Sequence, residues 1–146
     1  MRVVGFTGSR KGITDAQKTR LRAIVDASGC SEAHHGDCIG ADAIFDDILT
    51  EHEMEWTIYI HPSDSDEYRA YKGEGRYDTV ILPPKPPLIR NHDIVDASDL
   101  MLACPNEREE ILRSGTWTTI RYARERRKPL IVILPDGTNL QSGRKR

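Results

Sequence analysis

The chain has 146 residues, 38% hydrophobic and 30% charged, with a formal net charge of -2, which fits one soluble globular domain and argues against a nucleic-acid or membrane-surface binder. No apolar run approaches the ~18 residues of a membrane span, and the start of the chain has no signal-peptide pattern. Cys30, Cys38 and Cys104 are too few and too irregularly spaced for a disulfide framework, so the expected compartment is the reducing cytoplasm.

Residues 2–6 read as a short buried strand built on Val3, Val4 and Phe6. The strand runs into Thr7-Gly8-Ser9-Arg10-Lys11-Gly12. Thr14 and Gln17 have the spacing of a capping box, which predicts a helix with Leu21, Ile24 and Val25 on its core face and Gly29 as its stop. A second strand, 32–35, ends in Gly36-Asp37-Cys38-Ile39-Gly40-Ala41-Asp42. A second helix follows to about residue 52, with Ala43, Ile44, Ile48 and Leu49 inward. Residues 56–60 form a third strand of aromatic and β-branched type. Residues 61–87 break the pattern. They hold five of the eight prolines and many charges, as expected of a lid, a binding loop, a stiff connector or a disordered insert. A short helix over 67–72 is compatible with this stretch.

Residues 88–97 read as a third helix, 99–103 as a fourth strand and 105–113 as a charged loop. The last helix opens at Ser114 and runs to about residue 127, with Ile120 and Ala123 inward. Residues 129–134 are the fifth strand. Residues 136–146 are expected to be a flexible basic tail. The alternation predicts one α/β domain over 1–135, with a mainly parallel five-stranded sheet and helices on both faces. Ligands of such sheets bind beyond the carboxyl ends of the strands, near the switch point.

Three small-residue turns fall at such ends. Gly8, Ser9 and Arg10 can offer backbone N–H groups, a hydroxyl and a guanidinium to phosphate oxygens. Neither a P-loop nor a dinucleotide fingerprint is present, so neither an NTPase nor a dehydrogenase is indicated. Gly36 and Gly40 permit close approach of a helix N-terminus. Asp37 and Asp42 can either hydrogen-bond ribose hydroxyls or simply suit that N-terminus. Ser114, Gly115 and Thr116 can cradle an anion or merely cap a helix. Arg90 and Asn91 can deliver a cation and an amide to the same side, or lie exposed on their helix. Trp117 can stack on a base or fill the core. His34, His35 and Cys38 are not expected to hold a metal, because neighbouring strand residues face opposite ways. Glu107, Glu109 and Glu110 read as solvated surface.

Taken together, Gly5-Phe6-Thr7-Gly8-Ser9-Arg10, the Gly36-to-Asp42 turn, Arg90-Asn91 with Asp99 downstream, and Arg113-Ser114-Gly115-Thr116-Trp117 resemble the SLOG superfamily. The resemblance is to its small YspA-like branch, and it covers roughly residues 2–135. It implies a Rossmann-like three-layer α/β/α sandwich, a small nucleotide-type ligand over the strand ends, and a homodimer or higher homo-oligomer. No cofactor or metal is expected. In the related lonely-guy enzymes a Gly-Gly-x-Gly-Thr-x-x-Glu motif holds phosphate, and its Glu helps break the base–ribose bond. Here Gly115-Thr116 matches the Gly-Thr, and Arg90 stands where an assisting Arg would. Leu112-Arg113 replaces the paired glycines and Thr119 replaces the Glu. The expected function is binding of an adenine nucleotide or an ADP-ribose-like derivative. An alternative is a nucleotide N-glycosidase or phosphoribohydrolase, with Arg90, Asp37, Asp42 or an acid of the 105–113 loop as catalytic candidates. A second alternative is single-stranded DNA binding, by analogy with the DNA-processing protein A relatives.

Overall fold

The computed structural model describes residues 1–52 and 55–142. In chain order its elements are β1 (Val3–Gly8), α1 (Asp15–Ala27), β2 (Glu32–His35), α2 (Ala41–Glu51), β3 (Thr57–Ile60), β4 (Thr79–Ile81), α3 (Pro87–Ala97), β5 (Leu100–Cys104), α4 (Gly115–Glu125), β6 (Leu130–Ile133) and β7 (Asn139–Ser142). They form one seven-stranded sheet of order β4-β3-β2-β1-β5-β6-β7. Every neighbouring pair is parallel except β6 with β7. The chain steps outward from β1 to one edge, returns to the other side of β1 through α3, and then steps to the opposite edge. β1 is therefore the switch point of a Rossmann-like sheet.

Side-chain alternation along the buried strands builds two cores. Val4, Phe6, Leu100, Leu102 and Ile133 face α1 and α2, where they meet Leu21, Val25, Phe45 and Leu49. Met101, Ala103, Leu130 and Val132 face α3 and α4, where they meet Ile94, Val95, Trp117 and Ile120. The helix starts follow the sequence signals. Thr14 Oγ1 accepts from Gln17 N–H, and Gln17 Oε1 accepts from Thr14 N–H, which closes the capping box. The helix ends at Ser28, with Gly29 at positive φ just beyond. None of the described helices is long and apolar enough to cross a membrane.

Three sequence expectations are corrected. The sheet has seven strands rather than five. β4 lies inside the irregular 61–87 stretch, where a three-residue strand between a charged turn and four prolines carries no readable period. β7 lies in the expected flexible tail. Pro135-Asp136-Gly137 is the turn of a hairpin, with Leu134 N–H donating to Thr138 O and Gly137 at positive φ. That turn returns a polar segment along the apolar β6, so tertiary pairing overrides weak strand propensity. Residues 143–146 of that tail lie outside the described residues. The short helix over 67–72 does not form: these residues make turns and a bridge from Arg69 to Cys38.

Candidate functional site

The loops after β1, β2 and β5 meet over the carboxyl ends of the central strands. Ser9 N–H donates to Cys104 O, and Ser9 O accepts from Ala41 N–H at 2.9 Å, so the first loop is tied to both neighbours. Two glycines make this possible. A Cβ on Gly8 would lie 2.5 Å from the Ala41 Cβ, and a Cβ on Gly40 would lie 2.3 Å from the Arg10 carbonyl oxygen. Gly40 also has a φ of 89°, so it is required twice over.

Between these loops opens a cleft of about 470 Å³. It gathers Gly8, Ser9, Arg10, Gly36, Asp42, Arg90, Asn91, Ser114, Gly115 and Thr116 from the residues singled out in the sequence, and adds Lys11, Cys38, Glu107 and Arg113. Ser114 is the N-cap of α4, its Oγ accepting from Trp117 N–H at 3.1 Å. Thr118 N–H is taken by Ser114 O. The N–H groups of Gly115 and Thr116 have no partner among the described residues, and they mark the positive end of the helix dipole.

The charge of the cleft is lopsided. Arg10, Lys11, Arg90 and Arg113 line it, and none has a carboxylate within 4 Å among the described residues. Arg90 is buried, yet its guanidinium is held only by neutral groups. It donates to Gly36 O at 2.9 Å, His61 O at 3.1 Å and Asn91 Oδ1 at 2.6 Å, with Cys38 Sγ at 3.5 Å. A buried cation without an acid is costly unless an anion completes it. Asp42 is the nearby acid, accepting from Cys38 N–H at 3.1 Å, and burial pushes its carboxyl above the usual range. Burial likewise raises the Cys38 thiol.

Other sequence candidates lie off the main cleft, Asp37 among them in the lining of a smaller chamber beside it. The Asp37 carboxylate is fully buried, accepting from Arg69 Nε at 3.0 Å and from Lys72 N–H at 2.9 Å. Gly40 shapes the cleft without lining it. Trp117 is buried in the core, and its indole N–H donates to Glu107 Oε1 at 3.0 Å. That bond draws Glu107 out of the solvated surface expected for it and into the cleft. Thr119 is buried and donates back to Gly115 O. Asp99 lies at the opposite end of the sheet, where its carboxylate accepts from the N–H groups of Arg2 and Val3, which lower its pKa. His34 and His35 face opposite sides, towards Glu32 with His61 and towards Asp46. No cluster suited to a metal occurs among the described residues.

The sequence leaves residues 61–87 open between lid, binding loop and connector. They wall a smaller chamber of about 270 Å³ that shares Arg10, Gly36, Cys38 and Arg90 with the main cleft. Two buried carboxylates pin this segment. Asp37 holds Arg69, and Asp46 on α2 takes a two-pronged bond from Arg76 at 2.8 and 2.9 Å. Each pair joins residues 30 or 32 positions apart, so the pairing is non-local and leaves no spacing to read.

No protein-family model matches the chain, and no curated protein does. Among solved structures, the X-ray structure of TM1055, a structural-genomics target, is similar to it, with a TM-score of 0.62 over 89% of this chain and 72% of that one. The identity is 15%, so the likeness speaks to the fold: a Rossmann-like α/β architecture.

Proposed function

We propose that the cleft binds a nucleotide or nucleotide derivative, of the adenine-nucleotide or ADP-ribose kind, through its phosphate. The observation that carries this reading is that four cations without carboxylate partners line the same cleft as the free N–H groups of the α4 N-terminus. Backbone donors at a helix start and guanidinium forks are what phosphate oxygens require. The site also lies at the sheet's switch point, where ligands of this architecture bind. The SLOG resemblance leads to the same ligand class from the residues of these turns.

The test is thermal unfolding with a panel of adenine nucleotides and ADP-ribose. A ligand at one hundred times its Kd stabilises the native state by about 2.7 kcal/mol. Arg10→Ala and Thr116→Val should abolish that gain while leaving the unliganded protein folded. The reading is overturned if no nucleotide raises the Tm, or if both variants keep full affinity.

A second reading, hydrolysis of the base–ribose bond, draws support from Glu107. Thr119 cannot supply the carboxylate that stabilises an oxocarbenium-like state. Glu107 stands in the cleft, oriented by the Trp117 indole. Release of free base on incubation with a nucleotide, lost in Glu107→Gln, would establish it. An unchanged nucleotide would leave the protein a binder.

A further inference from the structure

The smaller chamber has a composition unlike the cleft it adjoins. Arg10 and Arg90 belong to both and so mark the junction. Beyond them the wall is made by Ser63, Ser65, Glu67, Tyr68, Arg69 and Pro87 of the 61–87 segment, with Asp37 paired to Arg69. The Arg10 guanidinium lies 3.8 Å from the Tyr68 ring centroid, so the junction cation is positioned by the segment itself. Ser63 Oγ accepts from Ser65 N–H, and Ser65 Oγ accepts from Glu67 N–H, which leaves both hydroxyl protons to donate. Glu67 has no cationic partner among the described residues, and its carboxylate is exposed. Arg69 is neutralised by Asp37. Past the junction the chamber therefore offers acceptors, hydroxyl donors and an aromatic edge, with one unpaired negative charge. With Arg69 and Asp37 offsetting each other, that set holds no free cation for a phosphate and suits an uncharged group rich in N–H or O–H donors. At about 270 Å³ the chamber is below the ~300–1,000 Å³ of a whole ligand site, and fits one half of a ligand.

We infer that the 61–87 segment builds a separate subsite for the neutral nucleoside end of the ligand, with Glu67 accepting hydrogen bonds from its amino or hydroxyl groups. The phosphate then lies in the main cleft, and Arg10 bridges the two halves. This inference rests on the phosphate-binding reading proposed above and adds the orientation of the ligand and a residue that selects it. The segment is a fixed wall: Asp37 and Asp46 hold it from beneath, and Tyr68 O accepts from Ile39 N–H at 2.8 Å.

Calorimetric titration of the full chain with ribose 5-phosphate and with AMP separates the two halves. AMP should bind the native protein at least tenfold more tightly than ribose 5-phosphate. Two variants at exposed positions test the subsite: Glu67→Ala removes the acceptor, and Ser65→Trp fills the chamber. Both should bind ribose 5-phosphate as the native protein does and lose most of the AMP advantage. The inference is overturned if AMP is no tighter than ribose 5-phosphate, or if both variants keep the advantage, since the base then lies elsewhere. If neither compound binds the native protein, the phosphate-binding reading itself fails and the subsite fails with it.

Discussion

Asp46 joins α2 to the segment that roofs the smaller chamber, and its replacement by Asn tests whether that segment is pinned as described. The carboxylate is completely buried. It accepts from His35 Nε2 at 2.8 Å and from both terminal nitrogens of Arg76. Burial by itself would raise its pKa. The bonds from His35 and Arg76 outweigh that and hold the group well below the ordinary carboxylate range. Asp46→Asn keeps the shape, removes the charge and leaves one acceptor where two served three donors. Breaking a buried pair costs about 3–5 kcal/mol. Arg76 is partly exposed and can rehydrate, so the lower end, about 3 kcal/mol, applies. For a chain of this length each kcal/mol moves Tm by about 2–4 °C, so a fall of roughly 10 °C follows. A carboxylate with a depressed folded pKa contributes fully above its unfolded value of about 3.9, and the contribution fades as pH falls towards the folded value. The gap between native and variant should therefore be widest at neutral pH and shrink below about pH 4. Urea unfolding at pH 7, 5 and 3.5 measures it, with proteolysis within residues 61–87 as a local readout. A gap under about 0.5 kcal/mol at pH 7, or one that widens on acidification, would refute the reasoning.

Two further outcomes follow from the backbone. Gly40→Ala places a Cβ 2.3 Å from the Arg10 carbonyl at a position with φ of 89°. It should cost more than the ~1 kcal/mol of an ordinary glycine replacement and weaken nucleotide binding, because the Ser9–Ala41 contact must open; thermal unfolding with and without ligand reads both effects. Ending the chain at Pro135 removes β7 and turns the apolar β6 into an edge. The shortened protein should have a lower Tm and aggregate more readily by light scattering, whereas an unchanged Tm would mean the hairpin is dispensable.

The parts of the fold legible in the sequence are those whose signals are local. Thr14 and Gln17 cap a helix three residues apart, and the buried runs of β5 and β6 announce themselves by composition alone. β4 and β7 are short and polar or proline-flanked, and only their neighbours make them strands. The site divides in the same way. The glycines and hydroxyls of the three turns read as an anion cradle because each turn carries its own chemistry. The positions of Asp37, Glu107 and Trp117 depend on partners remote in the chain or on the local path of a loop. Asp37 shows in the sequence as a turn acid, but not as the partner of Arg69, 32 residues further on. Glu107 looks like surface until the Trp117 indole draws it in. Leu88 and Ile89, apolar at the start of α3, are about half exposed.

The place of β1 at the middle of the sheet also bears on how the molecule comes into being. Its partner on one side, β2, follows within a few tens of residues, but its partner on the other is β5, near residue 100. Asp99 fastens the start of β1 across that whole span. During synthesis the first half of the sheet can pair while β1 still has one bare edge. The cleft closes only when α4 has emerged to supply its N-terminus. A long-range closure of this kind is slow compared with helix or hairpin formation. The cleft is thus a late feature of the growing chain, completed only once α4 is available and followed only by β6 and β7 at the far edge.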